Sequence, residues 1–398
     1  MTLSGMFKGF PLKAAALCAL ALTGGFLGQA QAQDGDIRLG IVSPNTGSNA
    51  RYGSFALRGA QLAVEEINSA GGINGKKIKI FSGDSQCTPV EGVSATQRLI
   101  QEDKVGFIIG DICSSVTLAM QPIVENAKVL LVNAASSNPA ITYKAGVGGF
   151  KWTYRNYPTD EVRSLVVLDY ATKQKNFTKF AVLSVDSDYG RGAINFTKKY
   201  LERFKSEIIS EDYYKDGEVD FRSVLAKIKN SGAQAIIMYG LADTTPIIAR
   251  QMVETGLAGK IPLIGNGEFN APATIKAAPT ALNGAIEAAA WLPGWDTPRS
   301  KEFVKKFEAA YKGETPNNHA YSHWETVHLI AATMKAANST DGEKVRDAMA
   351  KIKFDSAVGP ITFDDHNQAL VPMILLEIEG GAPSIKGAFV GSIDYPKN

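Results

Sequence analysis

The 398-residue sequence carries 42 basic and 40 acidic side chains, a formal net charge of +2, and three cysteines. So even a balance gives no basic footprint for nucleic acid or for a strongly anionic membrane surface. The length allows two ordinary domains, because single hydrophobic cores stop growing at about 250 to 300 residues.

Met1 to Ala32 stands apart from the rest. Lys8 and Lys13 precede an apolar stretch from Ala14 to Leu27, and Ala30-Gln31-Ala32 supplies small residues at the cleavage positions. This pattern predicts a signal peptide cut after Ala32 and export to the periplasm. A membrane anchor is the alternative, but the apolar run is shorter than the roughly 20 residues a span needs and is broken by Gly24 and Gly25. Cys18 lies inside the apolar run, not at its end, which argues against lipidation. Cleavage removes two lysines and no acid, leaving basic and acidic residues equal in number. It also leaves Cys87 and Cys113, an even pair in an exported protein, so a disulfide is expected, with two buried free thiols as the alternative.

From Ile37 to Val42 the chain reads as an apolar strand, followed by the polar loop Ser43 to Gly53 and a helix with Leu57, Ala60, Val64 and Ile67 on one face. Strands at Lys77 to Asp84, Val105 to Ile109 and Val129 to Val132 alternate with helices at Val90 to Gln101 and Val116 to Ala127. This alternation calls for a parallel sheet with helices on both faces, whose ligands bind at the carboxyl ends of the strands. Ser114 and Ser115 fall at one such end, at a helix N-terminus. Free backbone N–H groups, the helix dipole and two hydroxyls converge there on a small anion or carboxylate; an ordinary serine N-cap is the alternative. A strand at Phe150 to Arg155 leads out of this unit.

A helix from Asp160 to about Thr172 opens a second alternating series. Its strands are Phe180 to Val185, Ile208 to Tyr213, Ala235 to Tyr239 and Pro262 to Ile264, and its helices are Gly190 to Phe204, Phe221 to Ser231 and Thr245 to Thr255. Past Ala285 the pattern gives a strand, helices at about Arg299 to Tyr311, Ala320 to Ala337 and Glu343 to Met349, then strands around Pro360 to Phe363 and Met373 to Glu379. The halves are pseudo-repeats of one α/β architecture, and no linker rich in Pro, Gly or Ser separates them, which predicts several short crossings and a hinge.

A series of motifs runs through the mature chain: Gly-Ser-Asn-Ala-Arg-Tyr-Gly (47 to 53), Ala-Gly-Gly-Ile-Asn-Gly-Lys-Lys-Ile (70 to 78), Asp84 with Cys87, and Ile-Gly-Asp-Ile-Cys-Ser-Ser (109 to 115). Asp-Ser-Asp-Tyr-Gly-Arg-Gly (186 to 192), Asp-Phe-Arg-Ser-Val-Leu (220 to 225), Arg-Gln-Met-Val-Glu-Thr-Gly-Leu (250 to 257) and Gly-Pro-Ile-Thr-Phe-Asp (359 to 364) follow in order. In this series the chain resembles the type I periplasmic solute-binding proteins of ABC transporters, in the branch that binds branched-chain amino acids. The resemblance implies a two-lobed periplasmic-binding-protein-like I fold. Each lobe would be a mostly parallel sheet flanked by helices, joined by a three-stranded hinge, with residues 34–155 and 285–359 in lobe 1 and 156–284 and 360–398 in lobe 2. It also implies a Cys87–Cys113 disulfide and a ligand held by Ser114 and Ser136 at its carboxylate, beside the carbonyl of Ala134. Tyr52 and Tyr189 would face the ligand from the two lobes, and Glu268 would receive an ammonium group, with Gly267 as the competing alignment. Leu241 or Ala242 stands where the family carries a tyrosine.

The resemblance makes the chain a monomeric, non-enzymatic capture protein. It would pass an amino acid or related carboxylate to an ABC permease in the inner membrane, without cofactor, metal or nucleic acid. The alternatives are an aromatic or branched carboxylic or oxo acid lacking the amino group, or a ligand-sensing subunit of a receptor system. No Gly-x-Ser-x-Gly elbow, Walker loop or Gly-x-Gly-x-x-Gly fingerprint follows the first strand to suggest an enzyme. His319 and His323 have one-face helical spacing, but without a third ligand they do not make a metal site.

Overall fold

The computed structural model describes residues 35–241, 243–391 and 393–396; the predicted signal peptide and Cys18 lie outside them. Among the described residues no helix is long and apolar enough to cross a membrane. The first half runs β1 (Ile37–Ser43), α1 (Ala50–Ser69), β2 (Ile78–Asp84), α2 (Pro89–Gln101), β3 (Phe107–Ile109), α3 (Ser114–Ala127), β4 (Leu130–Asn133), the short helix α4 (Ala140–Tyr143) and β5 (Thr153–Arg155). Its five strands form one parallel sheet in the order β2-β1-β3-β4-β5.

The second half continues with α5 (Asp160–Lys173), β6 (Lys179–Val185), α6 (Asp188–Leu201), β7 (Glu207–Tyr214), α7 (Arg222–Lys229), β8 (Ala235–Tyr239), α8 (Thr244–Glu254), β9 (Leu263–Asn266), the short helices α9 (Pro272–Ala277) and α10 (Pro279–Leu282), and β10 (Ile286–Ala289). Next come α11 (Pro298–Ala310), α12 (Asn318–Ala336), α13 (Gly342–Met349), the hairpin β11 (Phe354–Ser356) and β12 (Gly359–Ile361), then β13 (Met373–Glu379) and β14 (Ala382–Phe389). The second sheet has the order β14-β13-β10-β9-β8-β6-β7, parallel except for its β10-β13-β14 edge. Sequence periodicity did not mark β14, whose residues are half-buried or exposed, because an edge hairpin needs no apolar face. β10 also differs from the expected boundary at 285: it hydrogen-bonds between β9 and β13 in the second sheet.

Both sheets are buried on two faces, which is why their strands read as near-continuous apolar runs. In the second sheet Leu183, Ile236 and Met238 point into one core while Val182, Ile237 and Tyr239 point into the other, following the period-2 alternation of a strand. In the first sheet Leu39, Ile109 and Val132 meet Phe303, Trp324 and Met349 from α11, α12 and α13. On its other face, Val42, Ile108 and Leu131 meet Leu99, Val116 and Val124 from α2 and α3. The chain therefore passes between the two lobes three times, through residues 156–159, 290–297 and 362–372.

The numbering repeats between sheets. In β2-β1-β3-β4-β5 and again in β7-β6-β8-β9-β10, the second strand in sequence lies outside the first and the third lies on its other side. Each sheet thus has a topological switch point, between β1 and β3 and between β6 and β8, where helices leave on opposite faces and open a crevice.

Cys87 and Cys113 are bonded, with Cα atoms 5.5 Å apart, tying the turn before α2 to the residue before α3. In the chain-entropy model a loop of this length is worth roughly 3 kcal/mol. The Cys87→Ser/Cys113→Ser double variant is expected to lose about that much in urea unfolding; an unchanged midpoint and slope would show that the bridge adds no stability.

Candidate functional site

The two switch points face each other across a cleft of about 510 Å³. On the first lobe, α3 starts at Ser114, and the preceding Cys113 makes no side-chain capping bond. The serine N-cap alternative therefore fails: Ser114 is inside the helix, and its hydroxyl accepts from Asn138 N at 3.3 Å, leaving its proton to donate. Among the described residues the amides of Ser114 and Ser115 have no hydrogen-bond partner, since the first turn's bonds come from Val116 and Thr117 to Cys113 O. Unpaired N–H groups at the positive end of a 14-residue helix can accept a small anion.

The loop after β4 differs from expectation by one residue. Ser136 donates to Asp111 O at 2.7 Å and shares a 2.8 Å bond with Thr117 Oγ1, and Ala134 is buried in the first core. Neither lines the cleft; Ala135 and Ser137 do. The cause is local. Asn133 Oδ1 accepts from Ala135 N at 3.1 Å and turns the chain, while the buried Arg155 guanidinium holds the carbonyls of Ser136 at 3.4 Å and Asn138 at 2.7 Å. Ser137 is left to turn the other way, where its hydroxyl donates to Asp160 Oδ2 at 2.9 Å.

Tyr52 and Tyr189 both line the cleft from the first turns of α1 and α6, not from loops. Each precedes a glycine at a close approach. A Cβ on Gly53 would stand 2.0 Å from Pro44 O, and one on Gly190 2.1 Å from Val185 O. The missing side chains let each helix begin against its own strand end, which carries the tyrosine over the crevice. The Tyr189 hydroxyl accepts from Asn266 Nδ2 at 2.9 Å. Burial raises the Tyr52 and Tyr189 hydroxyls well above their ordinary range, so both are neutral hydrogen-bonding groups.

Glu268 lies in the cleft wall on the loop after β9, with a left-handed backbone at φ +52°. Its Oε1 is 3.1 Å from His319 Nε2, and the His319 ring packs against Tyr52 with centroids 4.3 Å apart. His319 therefore belongs to the ligand cleft, while His323 is fully buried behind it. The side chain of Asn317 accepts from the His319 and Ala320 amides and starts α12, which places His319 in the helix's first turn. The apolar wall around Tyr52 is formed by Ile112, Ala135 and Leu241, the last at the position where the family resemblance placed a missing tyrosine. At the rim the lobes touch: Ser48 Oγ and Asn49 Nδ2 reach Asp216 Oδ2 at 2.9 and 2.8 Å, and Asn138 Nδ2 donates to Asp188 O at 2.6 Å.

A family model described as a periplasmic binding protein matches residues 36–382. Leu/Ile/Val-binding protein homolog 1 of Brucella suis biovar 1 is 31% identical over 366 residues, 92% of this chain and 95% of its own. Among solved structures, the substrate binding protein LivJ of the branched-chain amino acid transporter of Streptococcus pneumoniae, in complex with isoleucine, superposes with a TM-score of 0.79 at 26% identity, over 90% of this chain and 99% of that one. The solute binding protein of an ABC transporter from R. palustris, in complex with benzoate, shares the fold with a TM-score of 0.82 at 23% identity, over 90% of this chain and 98% of its own.

Glu287 on β10 supports the Glu268 loop: its Oε2 accepts from Asn270 N at 3.0 Å and Asn270 Nδ2 at 2.6 Å. Burial pushes its carboxyl up to about 7, with the Asn270 bonds opposing and the Glu268 charge adding to the rise. An acid whose folded pKa lies above its unfolded value contributes stability that is complete below about pH 4 and is lost as pH rises through about 7. Thermal unfolding across this window is expected to show that decline, and Glu287→Gln is expected to flatten it. An identical pH profile in the variant would assign the decline to other groups.

Proposed function

The chain belongs to the periplasmic binding protein family, and from that premise we propose that its cleft captures a small α-amino acid with an apolar side chain. It is an extracytoplasmic solute-binding protein of the ABC-importer type and is not catalytic. One observation carries the amino-acid reading: the free amides of Ser114 and Ser115 and the carboxylate of Glu268 line the same cleft, from different lobes. A ligand carboxylate meets the positive end of α3, a ligand ammonium meets the acid it needs once buried, and the side chain packs on Tyr52, Ile112 and Leu241. The name of the Brucella suis relative, a Leu/Ile/Val-binding protein homolog, supports this reading.

Because the ligand touches both lobes, it favours the closed arrangement that the Asp216 contacts already bridge, and the closed monomer is the form delivered to a membrane permease. A carboxylic acid without the amino group is the second reading. The observation that favours it is His319 Nε2, 3.1 Å from Glu268 Oε1, a contact within the cleft wall that gives the acid a neighbour other than a ligand ammonium.

Calorimetry with L-leucine and L-leucinamide tests the anion end. A hydrogen bond to a charged group is worth roughly 1.5 to 3 kcal/mol, so Ser114→Ala is expected to weaken L-leucine roughly 10- to 100-fold. Complete loss is not expected, because the backbone amides remain. The parent should prefer the acid to the amide. Equal affinity for both, or an undiminished affinity in Ser114→Ala, would put the anion site elsewhere.

A further inference from the structure

We propose that His319 is a positioning residue that sets the charge selectivity of the cleft, by holding one oxygen of Glu268 so that the other is presented to the ligand's ammonium group. The inference rests on the amino-acid reading above and deepens it. The His319 side chain is more than nine-tenths buried, borders the cleft, and is braced by the Tyr52 ring on one face. Its backbone is fixed by the Asn317 cap, so the ring meets the Glu268 loop from the start of α12. The imidazole Nε2 stands 3.1 Å from Glu268 Oε1, within ion-pair distance, and that buried oxygen makes no hydrogen bond among the described residues.

A second cavity shows what this contact prevents. Glu268 also borders a pocket of about 190 Å³ on its far side, lined by Arg51, Phe55, Pro272 and Glu314. Arg51 offers a cation there, so a Glu268 side chain released from His319 has both room and a partner away from the ligand. The backbone leaves little else to choose: Glu268 is held at φ +52°, and Glu287 pins Asn270 two residues on. With the main chain fixed, the side-chain torsions decide whether the carboxylate serves the cleft or the side pocket. Among the described residues His319 is the one side chain within ion-pair distance of that carboxylate.

The test compares L-leucine with 4-methylpentanoate, the same skeleton without the amino group, by calorimetry on the full mature chain. Glutamine places its side-chain nitrogen where imidazole Nε2 stands, whereas asparagine reaches only as far as Nδ1, so His319→Gln should keep the contact and His319→Asn should lose it. The parent and His319→Gln are expected to prefer L-leucine by roughly 10- to 100-fold, the worth of one charge-assisted bond. In His319→Asn the preference should fall by at least about 10-fold, with the loss falling on L-leucine. A thermal melt of each variant checks folding; if His319→Asn does not fold, His319→Phe, which keeps the ring against Tyr52, replaces it with the same expectation. A parent-like preference in His319→Asn or His319→Phe would overturn the positioning role while leaving Glu268 as the ammonium site. A parent that binds neither compound, or binds both equally, would overturn the amino-acid reading and the role of His319 with it.

Discussion

A guanidinium without access to water organises the junction of the two lobes. Arg155, the last residue of β5, is fully buried, and burial pulls it down to about 10. It remains tolerable because its donors meet Gln368 Oε1 at 2.5 Å, Asn138 O at 2.7 Å, Thr142 Oγ1 at 2.6 Å and Ser136 O at 3.4 Å. These acceptors come from the β4 loop, from α4 and from the third crossing. A buried charge with one partner removed costs several kcal/mol, so the three segments are held to one arrangement. A second buried pair, Asp160 with Arg163, stands just beyond: Arg163 donates to Ala288 O on β10, and Asp160 takes the Ser137 hydroxyl.

This junction sets the geometry of the ligand cleft. Carbonyls 136 and 138 are drawn toward Arg155, and hydroxyl 137 toward Asp160 in the second lobe, so the loop facing α3 is stretched between charges on both sides of the crossing. The two lobes then present matching parts. In each, a tyrosine in the first turn of a helix is followed by a glycine that lets the helix start against its strand. What differs is the chemistry beside the tyrosine: the open N-terminus of α3 on one lobe, and Glu268 on the other. The proposed amino-acid ligand is complementary to that asymmetry, and neither lobe alone carries both groups.

Much of the fold was legible because strands buried on both faces leave unbroken apolar runs: Ala235–Tyr239 and Met373–Glu379 fall where their residues place them. The helix starts at Ala50 and Asp188 came earlier than periodicity suggested, because Gly53 and Gly190 act by letting each helix begin against the carbonyl at its strand end, which a hydrophobic pattern does not carry. Ser114 was legible from local physics alone, a strand end followed by a helix. Ser136 was not, since whether 136 or 137 faces the cleft depends on Arg155 and Asp160, which the sequence places 19 and 23 residues away. His319 was legible only as a helical histidine; its place in the cleft wall depends on Tyr52 and Glu268, brought from opposite lobes.

The most direct test of the account is a crystal structure of the mature protein with L-leucine in the cleft. The account predicts the carboxylate within hydrogen-bond distance of the Ser114 and Ser115 amides and the ammonium against Glu268, with the two lobes closed over both. A ligand bound in the reverse sense, or one whose carboxylate makes no contact with the first turn of α3, would contradict it.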